Sequence, residues 1–293
     1  MAESNAAAIY DLGYQPYTGP QLGRGYAARS LLAYSFRSAF GVGRGDKAKT
    51  MPALVVAAVY VPALVQVAIS SATGMVNFIQ YANYLEFTTV LIALFAAAQA
   101  PELVVTDKQQ GVLSLYLSRP LVAFDYAMAK VGALTAALLV ITMGPQLILF
   151  LGKVAIAASP WTSFKSEWTK LLPIVGGTAL ISLFVASIAL LLASFASRRG
   201  YATASVIAFF LVLPPVVEMF RSVTSGDVRR YSVLVHPVYL IMGFANWLFD
   251  IEAKRHTAVG RAELPGSVYM LTMVIVCFAC ITVLLRRYGK VEA

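Results

Sequence analysis

Few residues in this chain could do chemistry, and each has an ordinary competing role. Cys277 and Cys280 are three apart, a spacing that would put both thiols on one helix face as a redox pair. They sit in an unbroken apolar run, so they read as small packing residues, and no disulfide framework is encoded. His236 and His256 are the only imidazoles. A metal site would want several ligands at close spacing, so both read as polar residues of a loop. Glu86 and Glu218 lie in or beside apolar runs, where a carboxylate is costly and marks a cation site or a substrate path unless it can reach water. Gln66 and Gln146, with Asn77, Gln80 and Gln99, could line the same polar path or bond one helix to another.

Gly41 to Thr50, GVGRGDKAKT, superficially resembles a phosphate-binding loop. It fails the G-x-x-x-x-G-K-[ST] spacing at every register and no strand precedes it, so it reads as a flexible basic linker. No cluster of acids, histidines or nucleophiles appears at one depth, as an embedded enzyme would need. The expectation is a protein that is not an enzyme and binds no cofactor itself.

These residues must be positioned by an apolar scaffold. Of the 293 residues 59% are hydrophobic and 13% charged, with a mean hydropathy of +0.73, well beyond the balance of soluble domains. The net charge of +9 could suggest nucleic acid as a partner, but Lys and Arg gather at the ends of apolar segments. There they orient spans and meet anionic lipid headgroups, so the partner they indicate is membrane lipid and not nucleic acid.

About 20 apolar residues are needed for a helix to cross the hydrocarbon core with its backbone satisfied internally. Six segments qualify: Pro52 to Thr73, Ile79 to Ala100, Tyr126 to Gly152, Leu171 to Ala196, Tyr201 to Met219 and Ser267 to Leu285. Pro52 is expected in a first turn, Pro101 to stop the second span, and Gly144-Pro145 to kink the third. Residues 1–21 form a polar tail. Residues 22–50 hold the basic linker and a helix expected from Leu22 to Phe40, lying in the membrane interface with Leu22, Leu32, Phe36 and Phe40 on one face and Arg29 snorkelling from it. Residues 51–293 form the spanning domain. Trp161, Trp168 and Trp247 read as interfacial anchors.

Most of the 23 Lys and Arg fall on one side if both termini are cytoplasmic. That side takes Arg24, Arg29, Arg37, Arg44, Lys47 and Lys49, then Lys108, Arg119 and Lys130, then Arg198 and Arg199, then Arg286, Arg287 and Lys290. Residues 220–265 are too long and too apolar for an ordinary outer loop. The run Tyr231 to Phe249 could be a seventh span, but an odd count would place the C-terminal arginines outside, and His236-Pro237 interrupts it. Short re-entrant or interfacial helices between spans five and six are the preferred reading, so the fold class is an all-α integral membrane protein with six transmembrane helices.

One segment stands apart from the spans. After Pro101 come Glu102, Asp107, Lys108, Gln109 and Gln110, then Gly111, then Val112, Leu113, Tyr116 and Leu117 at helical spacing, ended by Arg119-Pro120. A short amphipathic helix of this kind can lie on lipid or sit in a partner's groove, and the residues alone leave both open. The pattern of Glu102, Asp107, Gly111, Val112, Leu113, Leu115, Ser118, Arg119, Pro120 and a later Lys130 resembles the cytoplasmic segment between spans two and three of type 2 ATP-binding-cassette exporter permeases. Ile181 to Pro215 also looks like that family's fourth and fifth spans. The acidic residue that precedes the family's glycine is divided here between Glu102 and Asp107.

The resemblance implies a coupling segment, residues 101–125, docked on a separate cytosolic ATPase subunit that holds the ATP and Mg. It also implies a second permease copy, as homodimer or related heterodimer, and efflux; the apolar path with its Phe and Tyr leans toward a hydrophobic or amphipathic substrate. Val112, Leu113, Tyr116 and Leu117 would supply the buried docking face, and Glu102, Asp107, Lys108 and Arg119 the paired charges of its rim. Glu86, Gln66, Gln146 and Glu218 are the candidates for the substrate path. The expected place is a bacterial cell membrane, multi-pass. The competing reading is an ion-gradient-driven secondary transporter, which would want charged residues near the bilayer midplane and internal repeats.

Overall fold

Each apolar run folds as a helix, and in the computed structural model every element is helical. Residues 22–74, 81–112, 121–157, 159–251 and 257–292 are described. In chain order the helices are α1 (Arg24–Ala39), α2 (Asp46–Thr73), α3 (Tyr81–Gln109), α4 (Ala123–Ile156), α5 (Pro160–Glu167) and α6 (Leu171–Phe195). Then follow α7 (Arg199–Ile207), a π-helical stretch Ala208–Val212 and α8 (Leu213–Val223), which together make one span. The short α9 (Gly226–Tyr231), α10 (Pro237–Leu248) and α11 (Ala258–Ala262) precede the last long helix, α12 (Gly266–Glu292). Six helices among the described residues are long and apolar enough to cross a membrane.

Burial separates an inner from an outer set of spans. In the most apolar stretch of α3, 72% of residues are buried, and in that of the α5–α6 run 67%, against 22% for α2 and 17% for α7–α8. Interior helices are therefore apolar all round, while the outer ones turn one face to their surroundings. Helix α4 is the hub, packed on α1, α2, α3, α6 and α12. Small residues let α2 approach it: a Cβ on Gly144 would collide with the Tyr60 hydroxyl, and one on Gly152 would come within 2.5 Å of Val67 Cγ2. Tyr60 instead donates to the Val140 carbonyl at 2.7 Å, and Thr142 bonds Ser182 of α6 at 3.0 Å.

Two helix boundaries differ from those expected. Helix α2 starts at Asp46, inside the expected linker, with its carboxylate in the first turn where the helix dipole favours it. Pro52 then falls inside the helix and cannot donate to the Ala48 carbonyl. The Gly41 backbone, at φ +73°, packs on that carbonyl, where a Cβ would stand 2.7 Å from its oxygen. Helix α3 does not stop at Pro101 but continues to Gln109, because the side chains of its last turn are tied to neighbouring helices as described below. Helix α4 runs unbroken through Gly144-Pro145.

The face of α1 buried against the protein is centred on Leu31, Ser35 and Ala39, beside the face expected to meet the membrane interface. Phe36 and Phe40 are half-buried beside it, Leu32 and Leu22 are exposed, and Arg29 is exposed. Phe40 packs on Phe95 of α3 with ring centroids 5.8 Å apart. In residues 220–265, α9 with the 3₁₀ turn that follows it and α10 meet at 83° across His236-Pro237. His236 serves that corner as a cap, its Nδ1 accepting from the Tyr239 backbone N–H at 3.1 Å.

Candidate functional site

The end of α3 carries the charged residues singled out in the sequence, and the helix register sends them to different neighbours. Glu102 takes two cations. Its Oε1 accepts from Arg199 at 2.9 Å and its Oε2 pairs with Arg44 at 2.7 Å, so one carboxylate joins the α1–α2 turn, α3 and the start of α7. Thr106, one turn on, donates to the same Oε2 at 3.3 Å.

Asp107 points into the protein. It is 9% exposed, and its Oδ2 lies 2.7 Å from Lys130 Nζ and 2.9 Å from the Tyr126 hydroxyl. Lys130 is itself only 3% exposed, and its ammonium lies 5.4 Å from the centre of the Tyr126 ring. Tyr288 of α12 packs edge-on to Tyr126 at 5.1 Å. A buried charge is tolerated only when paired and hydrogen-bonded, and here both conditions hold. Asp107 is thus an internal tie between α3 and α4, which corrects its expected place on a docking rim.

Lys108 and Gln109 close the helix. Lys108 Nζ donates to the Ser194 carbonyl at 3.1 Å, Arg287 Nε of α12 donates to the same carbonyl at 3.1 Å, and Gln109 reaches the Ser197 carbonyl at 3.2 Å. The Ser194 carbonyl in the last turn of α6 therefore receives donors that its helix cannot supply, and Ser197 lies in the link to α7. Gly111 follows at φ +67°, the left-handed conformation that ends a helix without strain in glycine, and its N–H donates to the Lys108 carbonyl. Val112 is half-buried. Leu113, Tyr116, Leu117, Arg119 and Pro120 lie outside the described residues.

The chain is anchored again where it returns. Leu121 is buried, and Asp125 in the first turn of α4 takes a two-pronged contact from Arg24 of α1, at 2.5 and 2.9 Å. Beside this base a cavity of about 380 Å³ is lined by Arg44, Glu102, Asp107, Val112, Lys130 and Arg199, among others. Arg44, Arg199, Tyr126 and Tyr288 are the residues of this base that sequence reasoning did not assign. The two arginines were visible only as orienting charges, and nothing in their spacing ties them to Glu102.

The four residues proposed for a substrate path have separate surroundings. Gln66 lines a hollow of about 440 Å³ on the flank between α2 and α3, with Pro62, Asn83 and Phe87. Glu86 is exposed on α3. Gln146 is fully buried, its Nε2 donating to the Tyr81 carbonyl at 3.0 Å, a helix-to-helix bond of the kind weighed against the path. Glu218, near the end of α8, pairs with Arg221 at 3.2 Å and accepts from Tyr239 at 3.3 Å. Among the described residues no three of His, Cys, Asp and Glu gather as metal ligands; Cys277 is buried and Cys280 half-buried in α12. His256, Asn77 and Gln80 lie outside the described residues.

Fold and site together define a helical protein of the membrane-spanning class, with a charge-paired base at one end. The comparisons with known proteins go no further: no family model matches the chain, and no match was found among curated proteins.

Proposed function

We propose that this chain is the transmembrane subunit of an ATP-driven exporter, worked by a cytosolic ATPase that grips Gly111 to Pro120. The observation that carries this reading is that both ends of the gripped segment are fastened to the bundle. On the entering side Glu102, Asp107 and Lys108 bind α3 to the α1–α2 turn, α4, the end of α6 and α7; on the returning side Asp125 binds α4 to α1. A push on the segment would therefore move several helices together, which is what a subunit without its own nucleotide site requires. ATP and Mg would be held by the partner subunit, and a second copy of the permease would complete the path for a hydrophobic or amphipathic substrate.

In this arrangement both termini are cytoplasmic, α1 lies in the interface, and the sharply bent α9–α10 pair enters the membrane from the outer face without crossing it. The bend supports that topology because a straight span would need no corner at His236-Pro237. The test is co-expression with a cytosolic ATP-binding-cassette ATPase of the same organism. Leu113→Asp with Tyr116→Asp should abolish co-purification and transport while the helix content and unfolding temperature stay unchanged. Undiminished association after that double change would overturn the proposal. So would transport that stops when ion gradients are collapsed at constant ATP, which would favour a secondary transporter.

A further inference from the structure

At the end of the bundle opposite the α3 base, where α8 finishes, four arginines surround one cavity of about 270 Å³: Arg221, Arg229, Arg230 and Arg261. Asp227 and Glu263 also line it, so positive charge prevails. Glu218 on Arg221 adds a third carboxylate nearby, and the positive excess that remains in a concave site focuses the field and raises the local concentration of anions.

The arginines are not equivalent. Arg230 is a fixed part of the wall, its Nε donating to the Ala262 carbonyl at 2.8 Å and its Nη2 to the Glu263 carbonyl at 3.0 Å. Those two bonds join α9 to the end of α11. Arg221 is 5% exposed, with its guanidinium 5.5 Å from the centre of the Tyr239 ring and its Nη1 on Glu218. Its Nε is buried without a hydrogen-bond partner among the described residues. A desolvated guanidinium donor without an acceptor is costly, and with its Nε enclosed Arg221 acts on the cavity through its charge. Arg229 and Arg261 are exposed at the mouth.

We propose that this cavity binds a phosphate-type oxyanion, one that could arrive on a lipid headgroup at the membrane surface or as a soluble phosphate. The size admits one phosphoryl group with a small substituent, and the three elements α8, α9 and α11 that supply the arginines would be held together by it. An anion here would thus set how tightly the short helices close over the end of the fifth span.

The experiment uses the full chain in nanodiscs and reads the unfolding temperature. In one arm the discs are phosphatidylcholine alone, with inorganic phosphate titrated against chloride at equal ionic strength; in the other, phosphatidylglycerol replaces part of the phosphatidylcholine. A rise in the first arm assigns a soluble anion, and a rise in the second alone assigns a headgroup. Arg229→Gln with Arg261→Gln should weaken the response roughly thirtyfold in concentration, taking two surface charges at about 1 kcal/mol each. Arg229→Gln alone, at an exposed position, should weaken it roughly fivefold and keeps the test usable if the double variant does not fold. Absence of a response in both arms, or a response undiminished in these variants, would overturn the site.

Discussion

The two ends of the bundle handle charge in opposite ways. At the α3 base, Glu102, Asp107 and Asp125 each hold at least one cation, and Lys108 and Arg287 share one carbonyl at the end of α6. At the far end, arginines outnumber the carboxylates around one cavity, and a buried guanidinium keeps a donor open. An end whose charges are paired internally is fastened to its neighbours, and under the exporter reading it transmits displacement. An end with surplus charge is completed by something from outside. The same residue types thus serve, in one chain, as fasteners and as a receptor.

The largest effect should come from breaking the buried tie at the base. Asp107→Ala leaves the Lys130 ammonium buried without its carboxylate, which costs about 3–5 kcal/mol when a buried pair loses one partner. Unfolding of the purified chain in detergent should show that loss as a clear drop in midpoint. Replacing both partners together, Asp107→Leu with Lys130→Met, should recover part of it, since no charge is then left unpaired. Arg229→Gln at the far end should leave stability within about 0.5 kcal/mol when phosphate and anionic lipid are absent. Equal effects from Asp107→Ala and Arg229→Gln would erase the contrast between the ends.

A middle-sized effect belongs to Glu218, the one carboxylate seen on Arg221. Glu218→Gln removes the negative partner of a buried guanidinium and should cost about 1–3 kcal/mol, towards the lower figure because Glu218 is itself half exposed. The same change removes a competitor for Arg221, so the phosphate response should shift to lower concentration. Thermal unfolding with and without phosphate reads both quantities. Weaker phosphate binding in Glu218→Gln would mean that Glu218 helps shape the cavity, and that its acid does not oppose the anion.

How much of this could be read from the chain follows from the range of each signal. Span identity is local, since some twenty apolar residues suffice, and all six runs became helices. Helix ends are less local. Pro101 carries a strong stop signal, yet α3 runs on because Lys108 and Gln109 are held by carbonyls nearly ninety residues away. The partners of Glu102 were present in the sequence as Arg44 and Arg199, but no periodicity links positions so far apart. Gly144 read as a kink; that it is also a contact for Tyr60 depends on which helix lies opposite. The arginines of 220–265 could not be read as one cluster, because it is the folding of α9 against α11 that brings them together.

The smallest stability effect should accompany a large functional one, at Glu102. Its partners Arg44 and Arg199 keep 30% and 43% of their side chains exposed, so each pair is worth roughly 0.2–1 kcal/mol after solvent screening. Glu102→Gln should therefore lower the unfolding midpoint far less than Asp107→Ala. Yet it removes the ion pairs that tie the α1–α2 turn and the start of α7 to α3, leaving only packing to carry displacement of the segment to the outer spans. Under the exporter reading, the variant should still co-purify with its ATPase and the complex should still hydrolyse ATP, while transport per ATP falls. That split distinguishes a fastener in the drive train from a docking contact. Loss of association together with transport would place Glu102 in the grip itself, and unchanged transport would show that the paired base carries no force.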